Sequence, residues 1–408
     1  MRLFDTARQA VVPFEPYENR VGMYVCGITP YDSAHLGHAF AYHVYDVITR
    51  RLRADGVTVQ SVRNVTDVDD DVLRVARERG VDYLTLATQE LTLFDTDVRD
   101  IGILAVTSEP RATQHVPQMV RWIEQLVAEG FAYARDGWVY FDTGMLPEYG
   151  RLSRLDAATM ITLSRERGAD PDDPRKRHPL DFVLWQVSGP DEPHWPSPWS
   201  EGRPGWHIEC SVMSTGELGV PVDIHGGGDD LIFPHHECEL AQCEAAGVAP
   251  FVRHWVHVAM VRYEGEKMSK SLGNLVFVRK LVEHTSAATV RLLLAMHHFR
   301  ESWSYEAHEL DDAHARAETY RSATASGNAL APDAAREFKH EFLARIDDNL
   351  DTPGALRVAD DTATAILRST ASGADAVAGD SVLASMLDII GVHFTRALPE
   401  SRVPSDAA

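Results

Sequence analysis

The chain of 408 residues is 44% hydrophobic and 25% charged, the make-up of an ordinary globular protein with room for two or three domains. No stretch approaches the roughly 18 to 20 uninterrupted apolar residues of a membrane span, and the opening Met1-Arg2-Leu3-Phe4-Asp5 lacks the basic head and apolar run of a secretory signal, so a cytoplasmic protein without membrane contact is expected. The net charge of -22 gives no general attraction for a polyanion, and the four cysteines, Cys26, Cys210, Cys238 and Cys243, do not make a disulfide framework.

In chain order, an apolar run from Gly22 to Cys26 ends at Gly27-Ile28-Thr29-Pro30. A pattern with helical spacing follows from about Leu36 to Leu52, and then a β-branched stretch from Val57 to Val65. Strand, helix and strand make a βαβ unit, which predicts a parallel sheet in an α/β fold. Residues 115–200 break this pattern with a helix near Val116 to Glu129, a short strand at Trp138 to Phe141 and a Pro- and Trp-rich loop around Asp191 to Trp199; they read as an insertion. A second half of the same sheet follows, with strands expected at Trp206-His207-Ile208 and Val222 to His225, a turn at Gly226-Gly227-Gly228, a helix from about Pro234 to Ala246 and an apolar stretch near Trp255 to Val261. Beyond Thr285 the pattern is helical throughout, with segments near Ser286–Arg300, Tyr305–Ser322, Ala334–Asp348, Thr352–Ser369 and Val382–Val392. The expected division is 1–114 and 201–284 as two halves of one core, 115–200 as the insertion, 285–398 as an all-helical bundle and 399–408 as a frayed tail.

Two short motifs suit phosphate chemistry. His35-Leu36-Gly37-His38 opens the first helix, where backbone N–H groups and the helix dipole favour an anion, and two imidazoles three residues apart share a face. Alone, such a string is equally a helix start with surface histidines. Lys267-Met268-Ser269-Lys270-Ser271, followed by Leu272-Gly273-Asn274, puts two ammonium groups and two hydroxyls in a loop suited to closing over a triphosphate; alone it is also a solvated basic loop. Asp67-Val68-Asp69-Asp70-Asp71 reads first as a polar helix start and second as a magnesium site.

Cys26 and Cys210 both fall at expected strand ends, where open α/β sheets bind ligands, and His235 and Glu239 stand four apart on an expected helix. Two thiolates, an imidazole and a carboxylate make a borderline-soft metal site; the other reading is a pair of small core cysteines. Glu239 is a fourth ligand, an outer partner of a ligand or a plain helix carboxylate. His236, Cys238 and Cys243 are taken as structural.

Together, His35 to His38 and Lys267 to Ser271 resemble the two signature motifs of the class I aminoacyl-tRNA synthetase superfamily. The resemblance implies a Rossmann-like, doubly wound core, ATP with Mg2+, and attack of an amino-acid carboxylate on the α-phosphate. It implies that His35, His38, Lys267 and Lys270 stabilise that transition state electrostatically. Cys26, Trp206-His207-Ile208-Glu209-Cys210, His225-Gly226-Gly227-Gly228 and Phe233-Pro234-His235-His236-Glu237 look like the zinc site of the cysteine-specific branch, one Zn2+ per chain that binds the substrate thiolate. By the same resemblance the adenylate pocket comprises Gly27, Ile28, Thr29, Gly37, Asn64, Val65, Thr66, Trp206, Gly228, Asp229, Asp230, Val261, Met268, Ser269 and Ser271, with Asp230 toward the amino group of L-cysteine.

Enzymes of this branch pass cysteine either to the ribose of a tRNA or to the amine of glucosaminyl-inositol, the amide-forming step of mycothiol biosynthesis. Cys26-Gly27-Ile28-Thr29-Pro30-Tyr31-Asp32 resembles the amino-sugar ligases; the tRNA enzymes typically have Pro-Thr-Val in place of Ile28-Thr29-Pro30. The chain is also expected to end with little room for an anticodon-reading domain, and its helical tail is acidic, with Asp347-Asp348, Asp351 and Asp360-Asp361. His225 and Glu239 point the other way, toward the tRNA enzymes. The expected partners are therefore L-cysteine, ATP and an amino-sugar acceptor for a monomeric ligase, with tRNA or another amine as the alternative acceptor. A synthetase-like binding protein without catalysis is a remoter alternative, since no signature residue is missing.

Overall fold

The computed structural model describes residues 1–31, 34–268, 273–370 and 376–394. Ser269, Lys270, Ser271 and the expected tail 399–408 lie outside them.

At the centre is a four-stranded parallel sheet in the order Val252–Val258, Val222–Gly228, Arg20–Ile28, Thr58–Val65. The helix Leu36–Ala54 connects the last two strands, and the helix Glu237–Ala245 lies between the first two in sequence. The two connections leave the middle of the sheet in opposite directions. The switch point therefore lies between Arg20–Ile28 and Val222–Gly228, which pair in register at Val25 and Gly226. In open α/β sheets the crevice beyond the strand ends at such a point is where ligands bind. The strand Arg20–Ile28 shows the alternation that makes this possible. Val21, Met23 and Val25 join the apolar cluster that includes Phe40 and Val44 of the first helix, whereas Tyr24 and Cys26 face the opposite cluster with Ile208, Cys210 and Trp255.

Residues between the two halves build a separate antiparallel sheet in the order Ala132–Arg135, Trp138–Phe141, Phe182–Val187, Gly202–Pro204. The helix Ala112–Ala128 packs beside it. The strand expected at Trp206-His207-Ile208 is instead the start of a helix, Trp206–Leu218, and Cys210 sits in its second turn, not at a strand end. Every residue from Ile208 to Ser214 is buried, so the segment has no polar face and no helical period to read.

The C-terminal part holds the helices Ala287–Ala295, Ala307–Ala325, Pro332–Asp347, Thr352–Arg368 and Gly379–Ile389. It is not purely helical. Trp303–Tyr305 pairs in parallel with Val261–Tyr263, and Ala329–Leu330 pairs with Val377–Ala378. A hairpin of Arg2–Asp5 and Ala10–Pro13, absent from the sequence reading, also forms, and Thr6 at its turn donates its backbone N–H to the Trp255 carbonyl. No helix among the described residues is long and apolar enough to cross a membrane.

Candidate active site and metal centre

The loop after the first strand is held by close backbone contact. A Cβ on Gly27 would lie 1.6 Å from the Asn64 carbonyl oxygen, so only glycine fits where the strands Arg20–Ile28 and Thr58–Val65 end side by side. The Gly27 N–H donates to Asn64 Oδ1 at 2.7 Å, and the Thr66 N–H donates to the Ile28 carbonyl at 3.0 Å. Gly27, Ile28, Thr29, Asn64, Val65 and Thr66 thus form one edge of the crevice. Across the switch point, Gly228 ends the neighbouring strand, and Asp229 and Asp230 enter a single helical turn. The Asp230 carboxylate pairs with Arg167 of the inserted region at 2.7 Å.

His35 caps the first helix: its Nδ1 accepts from the Gly37 N–H at 3.1 Å, and its ring stacks on His38 with centroids 3.9 Å apart. The chain that follows the lysine motif returns to this point. Leu36 N–H donates to Val276 O at 2.8 Å, Val278 N–H donates to Ala34 O at 3.1 Å, and His35 bridges Phe277. Lys267 ends a two-residue strand paired with Arg262, and Met268 is buried in the cluster that contains Ile28, Leu36 and Val261. Met268 and the stretch 276–278 therefore both lie beside the helix that carries the histidines.

The acidic run Asp67 to Asp71 is a helix start. Asp69 caps the helix Asp70–Arg79 through the Asp71 N–H, Asp67 accepts from the backbone and hydroxyl of Thr113, and Asp70 and Asp71 pair with Arg203 and Arg74.

The predicted metal residues converge. Cys26 from the strand end, Cys210 from the helix Trp206–Leu218, His235 and Glu239 offer ligand atoms that all lie within 4.8 Å of one another, and all four residues are buried. A second set, Cys26, His225, His236 and Glu239, overlaps the first. Residues Ile232–His236 form a wide turn in which Phe233 is extended, with φ -135° and ψ 133°. His235 and His236 follow this break, and each joins one of the two overlapping sets. His236, taken as structural from the sequence, belongs to the second set. His235 is stacked under Trp206 with centroids 4.2 Å apart, and His207 Nδ1 lies 2.9 Å from His235 Nδ1. His236 Nε2 lies 3.1 Å from Cys26 Sγ, and its Nδ1 is 2.7 Å from His257 Nε2.

The cluster fits a cation. An ion bound tetrahedrally at about 2.3 Å to sulfur and about 2.0 to 2.1 Å to nitrogen or oxygen has ligand–ligand edges of about 3.3 to 3.8 Å. Cys26 Sγ is 3.7 Å from Cys210 Sγ and 3.7 Å from Glu239 Oε1, and His235 Nε2 is 3.2 Å from Glu239 Oε1. Glu239 Oε2 lies 3.3 Å from His225 Nε2 but is not aligned as a hydrogen bond, which leaves a fully buried carboxylate oxygen without a donor. Burial pushes the Cys26 thiol and the Glu239 carboxyl up and His235 and His236 down, and holds His225 at about 3. A bound cation reverses this preference for the two acids, because it stabilises thiolate and carboxylate directly.

The sequence profile of the tRNA synthetases class I (C) catalytic domain matches residues 13–315. The chain is 43% identical over 379 residues to a cysteine–tRNA ligase of Cronobacter sakazakii, covering 92% of this chain and 81% of that one. It is also 43% identical over 385 residues to an L-cysteine:1D-myo-inositol 2-amino-2-deoxy-alpha-D-glucopyranoside ligase of Streptosporangium roseum, with 94% of each covered. Among solved structures it is similar to Mycobacterium tuberculosis methionyl-tRNA synthetase in complex with methionyl-adenylate, with a TM-score of 0.62 at 18% identity, covering 91% of this chain and 89% of that one. That likeness carries the fold.

Proposed function

Since this chain belongs to the class I tRNA synthetase family and is an ATP-dependent cysteine ligase, we propose that it condenses L-cysteine with ATP to cysteinyl-adenylate and passes the cysteinyl group to the amine of glucosaminyl-inositol. Pyrophosphate leaves in the first step. In the second the amine nitrogen displaces AMP from the carbonyl carbon and forms an amide. The observation that carries the reading is the soft donor cluster Cys26, Cys210, His235 and Glu239 beside the Gly27 loop, at the switch point of the sheet.

The donor set suits Zn2+, which when bound offers the substrate a soft Lewis-acid partner that prefers thiolate sulfur to the hydroxyl of serine. Serine and cysteine differ by one atom, and an apolar pocket separates such isosteres weakly. Trp206 stacks on His235 and restrains that ligand. Gly27, Ile28, Thr29, Gly37, Asn64, Val65, Thr66 and Gly228 to Asp230 line the nucleotide side, with Val261 and Met268 packed behind. His35 and His38 donate to phosphate oxygens as charge develops, with Lys267 and Lys270 supplying positive charge and Ser269 and Ser271 hydroxyl donors. Mg2+ accompanies ATP. Asp230 offers its carboxylate to the cysteine ammonium when it leaves Arg167.

The amino-sugar acceptor is favoured by the helical region. Between residues 285 and 394, 17 Asp and Glu face nine Arg and Lys. Five of those arginines are engaged in ion pairs: Arg291 with Asp46, Arg316 with Asp360, Arg321 with Glu318, Arg336 with Asp333 and Arg345 with Asp351. A phosphate backbone needs basic groups that are free to replace counterions. The second reading, transfer to tRNA, draws on His225, which lies in the cluster as the resemblance to the tRNA enzymes implies. Labelled cysteine and ATP supplied with glucosaminyl-inositol or with bulk tRNA distinguish the two. Label in the amino sugar supports the proposal, and label confined to tRNA overturns it.

A further inference from the structure

Glu209 precedes the thiol ligand Cys210, is 1% exposed, and belongs to neither donor set. Its Oε2 accepts from the Thr66 hydroxyl at 2.8 Å. Thr66 Oγ1 in turn accepts from Asn64 Nδ2 at 3.2 Å, and Asn64 Oδ1 accepts from the Gly27 N–H at 2.7 Å. The direction of every bond is determined. A backbone N–H can only donate, so the Asn64 amide must turn its oxygen to Gly27 and its nitrogen to Thr66. The single hydroxyl hydrogen of Thr66 is then left for a carboxylate, which accepts. Asn64 and Thr66 are each 2% exposed, so water does not readily replace a missing partner.

We propose that Glu209 is a positioning residue for the nucleotide half of the site: acting through Thr66 and Asn64, it fixes the Gly27 loop against which the adenylate lies. The chain of bonds joins the end of the first strand, the end of the second and the helix Trp206–Leu218. The helix that carries one thiol donor thereby also sets the amide orientation on the phosphate side. This rests on the proposed role of Gly27 and Asn64 in holding the adenylate.

The test is cysteine-dependent exchange of pyrophosphate into ATP by the metal-loaded full chain and by Glu209→Ala, Glu209→Gln and Thr66→Val. Glu209→Ala and Thr66→Val are expected to lower kcat/KM for ATP roughly ten- to a hundredfold. The KM for cysteine stays within about threefold, and metal content and rejection of serine are retained. Glu209→Gln, whose amide oxygen still accepts from Thr66, recovers most of the loss, and Glu209→Ala combined with Thr66→Val is no worse than the poorer single variant. If Glu209→Ala sheds metal or admits serine while its ATP parameters stay unchanged, the residue serves Cys210 and the proposal is overturned. It is overturned equally if Glu209→Gln is as impaired as Glu209→Ala. The near-isosteric Thr66→Val carries the test should Glu209→Ala fail to fold. A wild-type chain without exchange sinks the proposed function instead, before any variant is compared.

Discussion

Acid should weaken this protein through imidazoles buried in neutral form, and His257 allows the effect to be measured singly. It is enclosed between His236 and the hydroxyl of Thr6, which lies 2.7 Å from its Nδ1, and burial lowers its pKa from 6.5 to about 3. Between those values the unfolded chain binds a proton at this position that the folded chain refuses. The resulting stability is fully present above pH 6.5 and is lost as pH falls toward 3. At 1.36 kcal/mol per pKa unit, lowering the pH from 7.5 to 5.0 removes about 2 kcal/mol through this residue, a sizeable share of a total stability of about 5 to 15 kcal/mol. Other groups titrate in the same window. Asp69, raised to about 6 by burial, works in the opposite direction. The comparison is therefore between the wild type and His257→Asn, each unfolded in urea at both pH values and followed by tryptophan fluorescence. The variant should start less stable yet lose about 2 kcal/mol less on acidification. Equal losses in the two proteins would show that His257 does not resist protonation, and the buried-neutral description would fall.

Cys210→Ala and His235→Ala should each deprive the protein of metal and of cysteine activation with the circular dichroism spectrum preserved; a metal-free variant that still activates cysteine contradicts the donor set. Chelation of the wild type should lower its melting temperature, since an ion at a thousandfold its Kd contributes about 4 kcal/mol to the folded state, and re-addition of zinc should restore it. Lys267→Ala should lower the rate of adenylate formation about a hundredfold or more with little change in the KM for cysteine, and unchanged turnover in single-turnover kinetics would take the loop out of the reaction. Gly27→Ala should cost about 3 kcal/mol or more, because the atom it meets is backbone and cannot turn aside; an unaltered melting temperature would disprove the close approach.

The parallel core was legible in the sequence because its strands and helices have one-sided environments. The strand Arg20–Ile28 alternates between two apolar clusters, and the helix that follows begins at a histidine that caps it. The helix Trp206–Leu218 was not legible, because its stretch Ile208 to Ser214 is buried on every face and its first residues, Trp206, His207 and Ile208, are types at home in a strand. The convergence of Cys26, Cys210, His235 and Glu239 was largely readable from residue type and spacing, with Cys210 expected at a strand end and found on a helix. His225 entered only through the resemblance and His236 was taken as structural, whereas the structure brings both into the second cluster. Local spacing draws neither to the cluster: His236 meets Cys26 across 210 positions of sequence at 3.1 Å, and His225 meets the same sulfur at 3.8 Å.

The contact between Gly27 and the Asn64 carbonyl also limits how the pocket can change. On that flank two main chains touch, and no side chain there can be trimmed to make space. In the proposed site, room for a longer thiol, or for a different amino acid altogether, has to come from the helix beginning at Trp206 and the turn Ile232–His236. Repurposing of this scaffold, by selection or by design, therefore runs through one wall of the crevice, while the other constrains every descendant alike.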